Sequence, residues 1–328
     1  MPKKIEISYR TIIFIAVFAL GLWILFQIRE VLLTLFVSLI LMSSLNPSIE
    51  RLEKLRIPRP LAIILFYLLV LAILSFSLVG IVPPLIEQTS SLIARIPDFF
   101  KQFKILGMDE KVIASQLSQF SSIPANIIQF IIGFFSNILT FFAISIISFY
   151  LLMERKNLDR YLVSFFGEEK EKEIGRIIDK IESKLGGWVR GELLLMIFVG
   201  ILSYVGFRVV GLEYALPLAI LAFLLEIIPN IGPTLSAVPA VLVGLTVSPV
   251  RALVVVGLCF LIQQIENSLL VPRIMRQVAG VNPLVSIISL AIGFKLAGVG
   301  GAILAIPTFI VIEVIASEIS SSSKFKES

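Results

Sequence analysis

The sequence predicts an all-α integral membrane protein with about seven to eight transmembrane helices, and with broken or re-entrant helical segments in its C-terminal half. The first observation behind this prediction is composition. Of the 328 residues, 57% are hydrophobic and 16% are charged, and the mean hydropathy is +0.99, which is more apolar surface than one soluble core can bury. The second is that apolar stretches recur along the whole chain and become short after residue 191.

Composition also excludes several kinds of chemistry. The sequence has no histidine and a single cysteine, Cys259, so it offers no histidine metal ligands, no histidine-activated nucleophile and no internal disulfide. It contains neither a G-x-x-x-x-G-K-[ST] loop nor an H-E-x-x-H motif. We therefore expect no enzymatic activity, no cofactor and no metal. The net charge of +5 is typical of cytoplasmic loops in a membrane protein, so no nucleic-acid partner is predicted.

The N-terminal half contains charge-free runs that are long enough to be spans. Only Arg29 and Glu30 separate the first two, which are either two short spans or one long kinked helix. We prefer two spans, because two crossings place both flanking basic clusters inside. The first run is long and no small-x-small site follows it, so an uncleaved anchor is favoured over a signal peptide. The runs are 11–27, 31–45, 61–82 and 127–153, and the basic clusters are Lys3, Lys4, Arg10 and Arg51, Lys54, Arg56, Arg59.

Two hydrophilic regions differ in charge. Region 83–125 lacks a positive excess and is predicted to lie outside, with an amphipathic helix on the bilayer, on a neighbouring subunit or on its own subunit. Region 154–190 carries nine basic residues and is predicted to be cytoplasmic. Its apolar stripe requires a neighbouring helix or the membrane interface as a partner. The apolar positions are Leu92, Ile96, Phe99 and Phe103 in the first region and Ile174, Ile177, Ile178, Ile181, Leu185 and Trp188 in the second.

These features divide the chain into four parts. Residues 1–153 are predicted to be a transmembrane scaffold half, and 154–190 a cytoplasmic amphipathic helix. Residues 191–318 are predicted to be a transport half with broken helices, and 319–328 a polar tail. Both termini are then cytoplasmic, in a multi-pass protein of the inner membrane.

Glycine and proline interrupt the apolar segments of the C-terminal half. Because backbone groups cannot stay unpaired in lipid, such segments imply re-entrant hairpins or discontinuous helices. A weak repeat, with four identities in fourteen positions, relates 231–244 to 299–312, although chance or small-residue packing could also produce it. Gly186, Gly187 and Gly191 are possible hinges or close-packing sites. The predicted break and hinge positions are Gly191, Pro229, Gly232, Pro233, Pro239, Pro272, Pro283, Gly298, Gly300, Gly301 and Pro307.

Ionisable and polar residues within these segments are candidate binding residues, because charge inside a membrane is costly. Either Glu226 or Glu266 could form a structural ion pair with Lys295, or a carboxylate could bind a solute or a proton. Glu313, near the end of the last segment, is expected to snorkel. The polar string 263–268 could solvate a polar solute, or it could join helices. The candidate solute or ion ligands are Glu226, Asn230, Gln263, Gln264, Glu266, Asn267 and Lys295.

Three motifs carry a family resemblance: EIIPNIGP at 226–233, QIENSLLVPRI at 264–274 and GVGGAILAIP at 298–307. With them, the whole chain resembles the autoinducer-2 exporter family, also called PerM-like permeases. The resemblance implies export of small polar molecules, a homopentamer, and elevator-like movement of the C-terminal half against a scaffold. Glu192, Asn230 and Arg276 depart from the residues more common in the family.

Three functions follow from the residues and the resemblance. The first is export of a small polar solute such as autoinducer-2, and this export could be coupled to protons. The second is exchange of Na⁺ or Li⁺ for protons, to which some members of the family are linked. The third is a membrane scaffold that transports nothing. The expected partners are the lipid bilayer and either a polar solute or a monovalent cation and protons.

Overall fold

A computed structural model describes residues 9–73, 138–229, 231–275 and 283–324, together with the isolated positions 75, 79, 83, 87 and 91. Within these residues the secondary structure is helical and contains no strand, which confirms the all-α class. Five helices are long and apolar enough to cross a membrane, and shorter apolar helices accompany them. The apolar stripe predicted in region 83–125 lies outside the described residues.

The chain begins with α1 (Tyr9–Gln27) and α2 (Arg29–Lys54). The helical hydrogen bonds continue through the junction: Ile28 N–H donates to Ile24 O at 2.9 Å, and Leu32 N–H donates to Ile28 O at 3.0 Å. α1 and α2 therefore form one long bent helix, which was the alternative to two separate spans. Each of the two helices is nevertheless long enough to cross a membrane. α1 is almost entirely exposed.

α2 packs with two shorter helices, α3 (Arg59–Ile73) and α4 (Ile138–Glu154). Their shared core includes Met42 and Ile49 of α2, Ile63 of α3 and Leu152 of α4. A short 3₁₀ turn then leads to α5 (Leu158–Phe166). Gly167, with a φ of 83°, reverses the chain into the next helix, because a positive φ is readily adopted only by glycine.

α6 (Glu168–Val210) has 43 residues and is roughly 65 Å long at 1.5 Å per residue. It runs without interruption across the predicted boundary at 190, so the helix break predicted at Gly191 is wrong, whereas its role as a hinge stays a prediction. A Cβ added to Gly186 would lie 2.1 Å from Ser43 O, and one added to Gly191 would lie 2.6 Å from Met275 Sδ. Gly186 is therefore a close-packing site, because its neighbour is backbone and cannot move aside. The neighbour of Gly191 is the flexible end of the Met275 side chain, so the contact there is close but adjustable.

The apolar stripe of the charged region finds its partner in neighbouring helices. Leu185 and Trp188 of α6 pack against Ile40 of α2 and against Ile306 and Ile310 of the last helix. Of the two partners predicted for this stripe, a neighbouring helix or the membrane interface, the structure shows neighbouring helices. These contacts place α6 between the N-terminal half and the end of the chain.

The first of two helical hairpins consists of α7 (Ala215–Leu225), a turn, and α8 (Gly232–Val247). A Cβ added to Gly232 would lie 1.9 Å from Leu225 O, so the turn closes only with glycine at this position. Pro229 lies in the turn and Pro233 in the first helical turn of α8, where a missing N–H costs nothing. Pro239 lies inside α8 and does not interrupt it, contrary to the prediction.

α9 (Pro249–Ile265) continues through a π-helical turn, Glu266–Leu270, into the short helix Val271–Ile274. Ser248 caps its start by accepting a hydrogen bond from Arg251 N–H at 3.1 Å. Pro272 therefore follows an irregular turn and does not end the helix. Single π-helical turns of this kind occur frequently at functional sites.

The last helical segment, α10 (Pro283–Lys324), is a second hairpin. Ala297 and Gly298 leave the helical conformation, and Gly298 has φ 60° and ψ −143°. A Cβ added to Gly293 would lie 2.3 Å from Gly301 O, whereas residues eight apart in a straight helix are roughly 12 Å apart. The chain therefore reverses at Gly298. Pro307 lies inside the second arm and does not break it, contrary to the prediction.

The two hairpins contact each other and have a similar structure. Ile228, in the turn of the first hairpin, packs against Leu290 and Ala302 of the second. The repeat predicted from the sequence, 231–244 and 299–312, covers the second arm of each hairpin from its tip. α7 and the arm 283–296 are roughly 17 and 21 Å long, too short for a hydrocarbon core of about 30 Å. These lengths fit re-entrant segments.

Candidate functional site: a buried carboxylate cluster

Three glutamates from different helices are buried in the C-terminal half. Glu192 lies in α6, Glu226 follows the last residue of α7, and Glu266 begins the π-helical turn after α9. Their exposed fractions are 4%, 1% and 4% respectively. We refer to Glu192, Glu226 and Glu266 as the carboxylate cluster.

The packing of the three helices explains why these side chains converge. Val199 of α6, Ala222 of α7 and Ile262 of α9 form one buried apolar cluster. Ala222 and Ile262 each precede a cluster glutamate by four residues, and Val199 follows Glu192 by seven, so each glutamate shares a helix face with an apolar contact. The spacing also requires α6 to run opposite to α7 and α9. The glutamates therefore lie one layer beyond a common apolar core.

The three carboxyl groups of the cluster lie near one another. Those of Glu226 and Glu266 are neighbours, and Glu192 lies close enough to interact electrostatically with both. Gln263 Nε2 donates to Glu266 Oε2 at 3.4 Å. Glu192 Oε1 and Glu226 Oε2 are buried and accept no hydrogen bond.

No cation compensates the cluster in the described part of the chain, where no Lys or Arg pairs with any of its three carboxylates. Lys295 is exposed beside the tip of the second hairpin, so both ion pairs predicted for it are wrong. Uncompensated buried carboxylates are costly, and two neighbouring carboxylates repel each other unless one of them holds a proton. The arrangement is thus suited to binding a proton or another cation.

Of the predicted amides that the structure describes, one contacts the carboxylate cluster. Gln263 bonds Glu266, whereas Gln264 and Asn267 are exposed. Asn230 and Arg276 lie outside the described residues. Among residues that the structure describes, no group of three His, Cys, Asp or Glu side chains has the arrangement of a metal site.

Glu313 does not need to snorkel, because Lys184 Nζ of α6 donates to its Oε2 at 3.0 Å. One turn further along, Lys180 Nζ donates to Glu318 Oε1 at 2.7 Å. These two pairs join α6 to the second arm of α10. They belong to the architecture and lie apart from the carboxylate cluster.

Glu192 is absent from the candidate ligands predicted from the sequence, in which it stands out only as a departure from the family pattern. The signal available was that eight uncharged residues, LLLMIFVG, follow it directly. A glutamate at the start of such a run is predicted to be buried once the helix is known to continue through Gly191.

A separate set of charged side chains, which we call the arginine network, joins α2, α3, α4 and α6. Arg59 donates to Leu152 O at 2.7 Å, to Glu53 Oε2 at 2.8 Å and to Asn46 Oδ1 at 2.7 Å. Lys156 Nζ donates to Glu53 Oε1 at 2.8 Å. Arg155 Nε donates to the buried Glu182 at 2.7 Å, and its guanidinium also pairs with Asp179. Here each carboxylate has a cation.

Comparisons with known proteins agree with this architecture. The family model described as AI-2E family transporter matches residues 12–321. The chain is 31% identical over 290 residues to YueF of Bacillus subtilis, covering 82% of this chain and 78% of YueF. It is 28% identical over 305 residues to YrrI of the same organism, covering 88% and 86% of the two chains. Both relatives are named as proposed transport proteins.

Proposed function

Because this chain belongs to the AI-2E transporter family and is a membrane transport protein, we propose that it exports a small polar solute such as autoinducer-2 and couples this export to protons. The observation that carries the proposal is the carboxylate cluster. Glu226 and Glu266 are buried next to each other, and no cation pairs with them in the described residues.

In this proposal a proton is held between Glu226 and Glu266. Its loss would leave two negative charges adjacent in a buried site, which like-charge repulsion opposes. Glu226 stands at the start of the turn in the first hairpin, and Ile228 of that turn packs on the second hairpin. Proton binding would therefore stabilise the contact between hairpin tips, and proton loss would loosen it.

The same geometry supports alternating access by elevator-like movement. The two hairpins would move as one unit, because their tips pack together, against a scaffold formed by α1 to α4. The exposed α1 would contact lipid or a neighbouring subunit of a homopentamer. Following the positive-inside rule, both termini would lie on the cytoplasmic side of the inner membrane.

The test is efflux of autoinducer-2 from liposomes containing the purified protein, with and without an imposed proton gradient. We expect efflux above that of empty liposomes, increased by the gradient. Glu226→Gln and Glu266→Gln should each remove the response to the gradient, because glutamine cannot bind and release the proton. Glu168→Gln changes an exposed glutamate of α6 and is the matched control. No efflux above empty liposomes in the wild type would refute the exporter.

Exchange of Na⁺ or Li⁺ for protons is the second candidate. It is favoured by the acidic character of the site, which receives one amide, Gln263, while Gln264 and Asn267 are exposed. Oxygen ligands suit small hard cations. Acid-loaded vesicles with a trapped pH-sensitive dye should then lose protons when Na⁺ or Li⁺ is added outside. An unchanged signal after both additions would exclude this function.

A further inference from the structure

The proposed function uses a proton between Glu226 and Glu266 and leaves the third carboxylate of the cluster without a role. We propose that Glu192 is a second proton-binding group, so that the cluster carries two protons in the conformation described here. This inference rests on the proposed function and deepens it, since it sets how many protons accompany one transport cycle.

The position of Glu192 argues against a purely packing role. Its side chain is 4% exposed, and its Oε1 has no hydrogen-bond partner. A structural glutamate at such a site would normally be satisfied by a donor or paired with a cation, because an unsatisfied buried carboxylate oxygen is costly. The carboxyl group is therefore kept available toward Glu226 and Glu266.

The charged groups on the surrounding elements do not neutralise Glu192. Arg190, on the same helix, turns to α2 and donates to Ser44 O at 3.0 Å. Arg273, on the segment that packs beside Gly191, is exposed. Lys184 and Lys180 are engaged by Glu313 and Glu318 of α10. Within the described residues, none of these cations pairs with Glu192, whereas Glu226 and Glu266 lie close enough to interact with it electrostatically.

Counting charges then gives the number of protons. With one proton between Glu226 and Glu266, two negative charges would remain in the buried cluster with no cation beside them. A second proton on Glu192 leaves a single negative charge, delocalised over a hydrogen-bonded pair of carboxyl groups. Both protons come from water on one side of the membrane and return to water on the other when the joint movement of the hairpins exposes the cluster to that side, so no other reactant is needed.

The test is infrared difference spectroscopy of the full-length protein in lipid nanodiscs, recorded between alkaline and acidic buffer. The carbonyl stretch of protonated carboxylic acids is the readout. We expect Glu192→Gln to lose one component of the wild-type band and Glu226→Gln to lose another. Glu168→Gln, on the exposed surface of α6, should leave the band unchanged. Thermal unfolding of each variant shows that it is folded.

The outcomes separate the two proposals. If Glu226→Gln loses a component and a folded Glu192→Gln matches the wild type, Glu192 is not a proton carrier and the single-proton mechanism stands. If neither variant changes the difference band, the proton site of the proposed function fails together with this inference. Loss of separate components in both variants supports the two-proton cluster.

Discussion

Buried and half-buried carboxylates occupy two regions of this molecule in opposite electrostatic settings. In the arginine network, Glu53 is paired with Arg59 and Lys156, and Glu182 is paired with Arg155. In the carboxylate cluster, three glutamates face one another and no cation pairs with them in the described residues. Glutamate therefore serves two purposes in this protein. A carboxylate paired with a cation fixes the positions of helices. An unpaired carboxylate can gain or lose a proton, and this strongly changes the electrostatic free energy of its site.

The comparison predicts that breaking the arginine network costs the most stability. Arg59→Ala removes the donor to Leu152 O and leaves Glu53 and Asn46 without their shared partner. Removing one member of a buried ion pair costs about 3–5 kcal/mol, so the unfolding temperature in detergent should fall substantially.

The matched control is Lys156→Ala, which removes the other partner of Glu53. The Lys156 side chain is 61% exposed, so its pair is screened by solvent and the change should cost at most about 1 kcal/mol. Equal losses of unfolding temperature in the two variants would show that burial of Arg59 is not what gives the network its strength.

The carboxylate cluster should respond in the opposite direction. Glu226→Gln removes a like charge from the cluster, and the new amide can donate to Glu266. We expect an unfolding temperature equal to or above that of the wild type, with an effect of about 1 kcal/mol and an advantage that grows as pH rises, because deprotonation then adds no charge at this position. Melting curves across a pH series test this. A loss comparable to that of Arg59→Ala would mean that Glu226 is structural.

The sequence predicted the local features of the fold better than their assembly. Short apolar segments around Gly232 and Gly298 indicated re-entrant hairpins, and both glycines lie at reversals where the chain passes close to itself or takes a positive φ. Gly191, Pro239 and Pro307 carry the same residue types but lie inside continuous helices. Composition cannot separate these cases, because a glycine at a packing contact and a glycine at a turn look alike until the neighbour is known.

For the site, the sequence indicated Glu226 and Glu266 as candidate ligands and offered an ion pair with Lys295 as one of two alternatives, because opposite charges within apolar segments usually pair. No such pair forms among the described residues. The actual neighbour, Glu192, is 34 residues before Glu226, and the two meet only because α6 continues past Gly191 and packs antiparallel to α7. The uninterrupted length of α6 was the information that the sequence pattern did not supply.

The smallest expected effect concerns the pairs between α6 and α10. Lys184 and Glu313 are 26% and 36% exposed, so solvent screens their interaction, and Lys184→Ala should lower stability by no more than about 1 kcal/mol. The apolar contacts of Leu185 and Trp188 with Ile306 and Ile310 continue to hold the two helices together. Leu185→Ala at the adjacent buried position should cost about 2–5 kcal/mol, and it provides the comparison in the same melting assay. A larger loss for Lys184→Ala than for Leu185→Ala would mean that charge pairing, and not apolar packing, fixes α10 to α6.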